Sequence, residues 1–256
     1  ELYPIPPDTK WMGQTESIVG EWLQTKPRDS IILATKVAGA ASGWFVPPNR
    51  HGLTAIDRFH IEKAFEDSLR RLKTDYIDSV LLHSPKIELC NGGSPLYPVF
   101  EELVKEGKIL AYGASLDDSQ SMKELISTTQ SGIVMPLYNI NFQESGLAFK
   151  EAAMKNIGVI AKVPMDSGWL TGKYNGASVF KDIRSRWSVE DIQRRSALQK
   201  KLLDIIAGEM SLHEAALSFI LAQPEVTSVI PGIKNEQQLV SNITAASKRM
   251  NATLCE

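Results

Sequence analysis

Cysteine is scarce in this chain, and long apolar runs are absent. The 256 residues include 2 cysteines, Cys90 and Cys255, which are too few for a disulfide framework and lack the spacing of metal ligands. The expectation that follows is a reducing, cytoplasmic compartment. No apolar run approaches the roughly 20 residues that cross a bilayer, and the first residues lack a signal-peptide pattern, so we expect no membrane association.

An excess of charge of either sign is also absent. The chain has 28 basic and 30 acidic residues, for a net charge of −2. Surfaces that bind nucleic acid or acidic membranes usually carry a basic excess, so neither partner is expected. A hydrophobic content of 43% with 23% charged residues is ordinary for a globular protein. The sequence indicates no particular oligomeric state.

Strand-like and helix-like segments alternate along the chain. Six short apolar runs predict β-strands, at residues 30–37, 77–84, 108–115, 132–140, 158–165 and 227–233. Amphipathic spacing predicts helices at 15–25, 58–72, 99–107, 119–128, 146–156, 196–209, 212–223 and 235–248. Gly107 and Gly158 are placed to end the helices before them. Alternation with short connections predicts a parallel sheet.

A glycine-rich phosphate-binding turn is a further absence. An open doubly wound sheet that binds nucleotides usually carries GxGxxG after a strand, and the sequence has none. The alternative is an α/β fold of the (β/α)8 TIM-barrel type, in which chemistry comes from the C-terminal ends of many strands. Five predicted strands carry candidate functional residues at their C-terminal ends: Lys36, His83, Ser115, Asn139 and the pair Pro231–Gly232. This distribution favours a single barrel domain over residues 1–256.

The number of predicted strands is too small for a closed barrel. Strand number, tilt and shear are linked, so six strands cannot close as eight do. The chain also begins with Glu1 rather than Met, on a loop-like stretch that leads into a helix. We therefore expect that about two βα units, without the last helix, precede Glu1.

Three side chains are candidates for catalysis, and two of them end predicted strands. Lys36 lies near the end of the apolar run "SIILATKV", a pattern that predicts a strand buried on both faces. An ammonium is costly to bury in such a strand. It either extends into solvent or serves chemistry, as a Schiff-base lysine or as a cation that lowers the pKa of an acid. His83 ends the next strand, where a lone histidine is often structural. Tyr3, with an ordinary pKa near 10, would complete a general-acid arrangement for protonating a carbonyl oxygen.

Several motifs resemble those of the aldo-keto reductase family. They are "ELYPIPPDTKWMGQTESIVGEWL", "IILATKV", "SLRRLKTDYIDSVLLHSP", "GWLTGKY" and "VIPGIKNEQQLVSNI". The resemblance implies a (β/α)8 barrel that transfers hydride between a nicotinamide nucleotide and the carbonyl of a small aldehyde, ketone or sugar. It implies that Tyr3 is the proton donor, that Lys36 lowers its pKa, and that His83 orients the carbonyl. The family's aspartate, five residues before the tyrosine, would precede Glu1.

The same resemblance implies a set of cofactor contacts. Gly232, Lys234, Gln238 and Asn242 correspond to residues around the adenosine and its phosphate, and Lys234 favours NADP(H) over NAD(H). Lys173 and Arg184 correspond to positive residues near the pyrophosphate. Ser115, Pro164 and Met165 correspond to further cofactor contacts. At the nicotinamide end the chain departs from the family pattern, with Leu116, Met135, Lys162 and Val163 in place of the usual residues.

Two hypotheses of function follow from these residues. The retained Tyr3, Lys36 and His83 favour an NADP(H)-dependent carbonyl reductase. The four departures favour a barrel without normal turnover that senses nucleotides or binds a partner, as potassium-channel β subunits of this family do. A Schiff-base barrel would require a lysine without a carboxylate partner. Substrate choice is expected to depend on the loops at 38–52 and 86–97 and after Tyr174, with Trp44, Phe45 and Trp187 as candidate pocket residues.

Overall fold

The computed structural model describes residues 2–3, 10–38, 57–206 and 208–248. The strands in these ranges are β1 (Ala34–Val37), β2 (Ile77–His83), β3 (Ile109–Leu116), β4 (Ile133–Pro136), β5 (Gly158–Lys162) and β6 (Ser228–Ile230). The helices are α1 (Gln14–Leu23), α2 (Arg58–Leu72), α3 (Tyr97–Lys105), α4 (Ser119–Thr128), α5 (Phe149–Met154), α6 (Val189–Ile206), α7 (Leu212–Leu221) and α8 (Glu236–Ser247). The predicted order of strands and helices is confirmed.

The chain divides into two compact units. The first unit comprises Glu1–Met135 and Glu151–Gly158, and the second comprises Pro136–Lys150 and Val159–Glu256. The expectation of one domain over residues 1–256 stays a prediction. In the part of the chain that the structure describes, none of the helices has both the length and the apolar character that crossing a membrane requires.

A parallel sheet forms the centre of the first unit. β1 pairs with β2, and β2 pairs with β3, so that Lys36 lies opposite Leu81 and His83 opposite Ser115. β4 follows β3 in the strand order. Leu81 and Leu82 are fully buried, as expected for parallel strands covered on both faces. The parallel pairing brings the residues that end β1, β2 and β3 to the same edge of the sheet.

A close approach between two helices holds α1 in the first unit. A Cβ atom at Gly20 would lie 2.1 Å from the carbonyl oxygen of Arg71 on α2, so only glycine fits there. Beside this contact the buried carboxylate of Glu16 accepts hydrogen bonds from Thr35 (2.5 Å), Ser68 (2.9 Å) and Arg71 (2.7 Å). One side chain of α1 therefore binds both α2 and β1, next to Lys36.

The second unit contains β5, β6 and the last three helices. β5 and β6 are parallel, with Lys162 opposite Ile230. α7 begins with a capping box, in which the Ser211 side chain binds the Glu214 backbone and the Glu214 side chain binds the Ser211 backbone. α7 packs against α8, and Leu212 belongs to a buried apolar cluster with residues of α6 and α7.

The first predicted strand is shorter and less buried than expected. Only Ala34–Val37 of the run at 30–37 is a strand, and Ile32 is 89% exposed. The reason lies in side-chain contacts before β1: Arg28 donates to the Ile31 carbonyl oxygen at 2.8 Å, and Asp78 accepts from the Leu33 N–H at 2.9 Å. These contacts satisfy the backbone without a strand, so the expectation of burial on both faces was wrong for this stretch.

Several helix boundaries also differ from the prediction by a few residues, and the ends of two helices show why. α6 begins at Val189 rather than at residue 196, because the Ser188 hydroxyl accepts a hydrogen bond from the Asp191 N–H at 3.1 Å and caps the helix start. After α5 the left-handed residue is Asn156, with φ of 55°, and Gly158 is instead the first residue of β5. Gly107, with φ of 71°, does follow α3 as predicted.

Candidate active site

The three predicted catalytic side chains lie together in the first unit. The rings of Tyr3 and His83 are stacked, with centroids 5.7 Å apart and an angle of 14° between the ring planes. The Nζ atom of Lys36 lies 5.3 Å from the centroid of the Tyr3 ring. Tyr3 therefore has a cation on one side and an imidazole on another, which is the arrangement that the sequence suggested.

The positions of the three residues follow from the sheet. Lys36 lies one residue before the end of β1, and His83 is the last residue of β2. Since the two strands are parallel neighbours, their ends share one edge. Tyr3 is 36% exposed, and the preceding Leu2 is 3% exposed, so the apolar neighbour anchors the backbone that carries the phenol.

The pKa of Tyr3 is raised in this structure. Burial of the ring raises the pKa of Tyr3 above its ordinary value of 10.0, because the phenolate loses hydration. The phenol is therefore protonated at neutral pH, which is the form that a proton donor needs.

A cavity of about 150 Å³ adjoins this cluster, with Tyr3, Glu16 and Lys36 among its lining residues. Glu16 was not singled out from the sequence. The available signal was a carboxylate on the same face of α1 as the buried Gly20 and Leu23, since a buried acid needs partners. Its hydrogen bond to Thr35 supports the strand that positions Lys36.

Three further sequence-predicted positions lie at the ends of β3 and β4 in the first unit. Ser115 is 1% exposed and lies opposite His83 in the sheet register. Leu116 is 2% exposed and Met135 is 4% exposed. The two apolar departures from the family pattern are therefore core side chains, which explains why apolar residues are tolerated there.

In the second unit, the backbone turns sharply after β5. Val163, Asp166 and Ser167 have φ values of 57°, 43° and 55°, and the Asn139 amide donates to the Val163 carbonyl oxygen at 2.9 Å. A positive φ is costly for a β-branched residue, and such strain clusters at functional sites. Pro164 and Met165 lie inside this turn, so both are held by strained neighbours.

Lys173 and Arg184, the candidate pyrophosphate residues, both lie beside Tyr174. Their charged groups are 5.7 Å and 5.5 Å from the centroid of the Tyr174 ring. Arg184 also donates to the Ser167 carbonyl oxygen at 2.8 Å and forms an ion pair with Asp182. The structure therefore places both cations beside the Tyr174 ring, and Arg184 is also paired with a carboxylate.

The candidate adenosine residues lie at and before α8. A Cβ atom at Gly232 would meet no atom within 4 Å, so the backbone there is open to a ligand. Gln238 accepts from the Lys234 N–H at 2.8 Å, which fixes the residue that carries the expected phosphate contact. Asn242 is 8% exposed, and its Nδ2 atom is buried without a hydrogen-bond partner. An open glycine and an unsatisfied amide fit a nucleotide that approaches the start of α8.

The pocket residues predicted from loops gave a mixed outcome. Trp44, Phe45 and most of the 38–52 loop lie outside the described residues. Trp187 packs against Phe180, with ring centroids 5.3 Å apart, and lies 4.6 Å from the guanidinium of Arg195. In the described part of the chain Trp187 is therefore a member of a packed aromatic cluster.

The profile of the aldo/keto reductase family matches residues 3–253. The chain belongs to this family. Its relatives include the uncharacterized oxidoreductase YqkF of Bacillus subtilis, which is 32% identical over 246 residues and 93% of this chain, and of which 75% is covered. A probable voltage-gated potassium channel subunit beta of Arabidopsis thaliana is 25% identical over 91% of this chain and 74% of that protein.

Solved structures of aldo-keto reductases show the fold. AKR11C1 from Bacillus halodurans, in its holo form, superposes with a TM-score of 0.78 at 27% identity, over 97% of this chain and 78% of that one. The fold class is therefore the (β/α)8 barrel of the aldo-keto reductases, as the sequence predicted. Family membership supports an oxidoreductase that acts on carbonyl compounds.

Proposed function

We propose that this aldo-keto reductase reduces a small aldehyde, ketone or sugar carbonyl with NADP(H). The observation that carries the proposal is the cluster of Tyr3, Lys36 and His83. A protonated phenol, an ammonium and an imidazole within one cluster provide the groups that carbonyl reduction needs from a protein.

Each of the three side chains has a distinct role in the proposed reaction. His83 donates a hydrogen bond that orients the carbonyl oxygen towards the phenol. Tyr3 then gives its proton to that oxygen as negative charge develops on it. Lys36 stabilises the phenolate that remains, because its ammonium lies 5.3 Å from the ring centroid and an opposite charge at this range favours the ionised form. A bound nicotinamide dinucleotide supplies the hydride.

The adenosine end of the cofactor is proposed to lie at Gly232, Lys234, Gln238 and Asn242. The open backbone at Gly232 allows close approach. The start of α8 adds N–H groups and a positive helix dipole, which favour anions. Lys234 contributes the charge that distinguishes NADP(H), with its 2′-phosphate, from NAD(H). Lys173 and Arg184 are proposed to neutralise the pyrophosphate, and Ser115, Pro164 and Met165 to make the remaining contacts.

Titration with NADPH and NADH, followed by dihydronicotinamide fluorescence, tests the proposal. We expect both to bind, with NADPH tighter. Lys234→Ala should weaken NADPH by about tenfold, the effect of one charged hydrogen bond, and leave NADH within about twofold. Lys200→Ala, a change at an exposed lysine of α6, is the matched control. Failure of the unaltered protein to bind either nucleotide at millimolar concentration would contradict the proposal.

A second candidate function is a nucleotide-sensing or partner-binding subunit with little turnover. It is favoured by Lys162 and Val163, where the family pattern has other residues, and by a plant relative named as a probable potassium channel subunit beta. The two candidates differ in one result. A sensor binds NADPH but does not oxidise it when carbonyl compounds are supplied, whereas a reductase does.

A further inference from the structure

A hydrogen-bonded chain of three side chains joins α7 to α8. The Nε2 atom of His213 on α7 lies 2.7 Å from Oδ1 of Asn242 on α8. On the other side of the imidazole, Nδ1 lies 3.5 Å from the hydroxyl of Ser241. His213 is not among the residues that the family resemblance assigns a role, and its sequence context suggested only a residue of an amphipathic helix.

The direction of these hydrogen bonds follows from the chemistry of the groups. An amide oxygen only accepts, so Nε2 of His213 carries the proton and donates to Asn242. In the neutral imidazole Nδ1 is then the acceptor, and the Ser241 hydroxyl donates to it over a long distance of 3.5 Å. With its oxygen engaged by His213, Asn242 presents its Nδ2 atom on the remaining side of the amide.

The Nδ2 atom of Asn242 lacks an acceptor. It is buried, and no hydrogen-bond partner reaches it among the described residues. Buried amide donors are nearly always satisfied in folded proteins, by another protein group or by an ordered water. An acceptor atom of a ligand bound beside Asn242 would satisfy this donor.

We propose that His213 is a positioning residue that holds the Asn242 amide with Nδ2 towards a ring nitrogen of the cofactor's adenine. This inference rests on the proposed function, because it requires a nucleotide at the start of α8. Without the His213 donor, the Asn242 amide can rotate and present its oxygen to the base. A ring nitrogen of adenine carries no proton, so it cannot donate a hydrogen bond to that oxygen. His213 thereby sets whether the site offers a donor or an acceptor to the base.

Four variants test the proposal by binding alone, with NADPH and reduced nicotinamide mononucleotide as probes. His213→Leu removes the donor, and His213→Gln restores a donor of similar reach. Asn242→Asp keeps the oxygen that His213 binds and replaces Nδ2 with an acceptor. Ser218→Ala is the matched control. Ser218 of α7 donates to the carbonyl oxygen of Lys248, the residue that follows α8, at 3.0 Å, so the substitution removes another hydrogen bond between these two segments. Melting temperatures are measured for each.

We expect His213→Leu and Asn242→Asp to weaken NADPH by about tenfold. His213→Gln should stay within about threefold of the unaltered protein, and Ser218→Ala should have no effect. None of the variants should change the affinity for the mononucleotide, which lacks adenosine. A merely structural role would lower the melting temperature without this selectivity for the dinucleotide.

The contrary outcomes distinguish a failure of the His213 positioning role from a failure of the proposed function. Unaltered NADPH affinity in His213→Leu or in Asn242→Asp overturns the positioning role, as does equal weakening by Ser218→Ala or of the mononucleotide. In those cases the proposed function stands. If the unaltered protein binds neither NADPH nor NADH, the proposed function fails and the positioning role fails with it.

Discussion

At the scale of single residues, Tyr3 is defined by two opposing effects. Burial raises its pKa, while the Lys36 ammonium favours the phenolate. The net direction is upward, so the residue rests as a protonated acid, and the charge of Lys36 acts mainly once the proton has left.

The pH dependence of carbonyl reduction follows from this direction. Because the pKa of Tyr3 lies above 10.0, the phenol stays protonated through the neutral range, and kcat for reduction should be constant there and fall only above pH 10. Alcohol oxidation needs the phenolate, so kcat for oxidation should rise with pH through the neutral range. The measurement is steady-state kcat in both directions.

A fall in the reduction kcat centred between pH 7 and pH 9 would contradict the burial-dominated pKa. It would indicate that Lys36 prevails over desolvation. Lys36→Met separates the two effects, because it should shift the alcohol-oxidation profile to higher pH without moving NADPH affinity.

The sequence predicted Lys36 and His83 as neighbours because strand ends in a parallel sheet share an edge, and Tyr3 was added to them for its chemistry and through the family resemblance. It did not predict Glu16 or His213, since the partners of these two residues lie on other elements. Only the folded chain reveals that Glu16 contacts Thr35 and Arg71, and that His213 contacts Asn242. Periodicity reports which face of a helix is buried, not which polar groups meet there.

At the scale of elements, local capping decided how well boundaries could be predicted. α2 and α4 begin where the sequence predicts because Asp57 and Asp118 cap their N-termini, and both signals are visible in the sequence. The Ser188 cap of α6 was visible too, but apolar periodicity there begins later than the helix. β1 was overestimated because Arg28 and Asp78 bind the backbone before it, which no pattern of apolar residues indicates.

Gly20 offers a test at this scale. Alanine normally favours a helix interior over glycine by about 1 kcal/mol, yet a Cβ atom here would lie 2.1 Å from the Arg71 carbonyl oxygen. Gly20→Ala should therefore lower the free energy of unfolding by about 1–3 kcal/mol, because backbone of α2 cannot move aside as a flexible side chain would. Urea denaturation monitored by circular dichroism measures the change.

Ser17→Ala is the matched control, since Ser17 is exposed on the same helix and should change stability by no more than about 0.5 kcal/mol. A Gly20→Ala variant as stable as the unaltered protein, or more stable, would show that α1 does not pack on α2 as described.

At the scale of the whole molecule, the fold was the most predictable feature. Strand–helix alternation, the absence of GxGxxG and the spread of polar residues over several strand ends indicated a (β/α)8 barrel before any motif was considered. The family profile over residues 3–253 and the TM-score of 0.78 to a solved aldo-keto reductase agree with that class. The substrate was not predictable, because loop residues such as Trp187 are used for packing as well as for recognition.

The central claim is that Tyr3 donates the proton in carbonyl reduction. The most direct measurement is carbonyl-dependent oxidation of NADPH by the unaltered protein and by Tyr3→Phe, with a reactive aryl aldehyde as substrate and the NADPH affinity of both measured in parallel. The account predicts turnover by the unaltered protein and a loss of kcat by a factor of about 100 or more in Tyr3→Phe, at equal NADPH affinity. Equal turnover by the two proteins would contradict it.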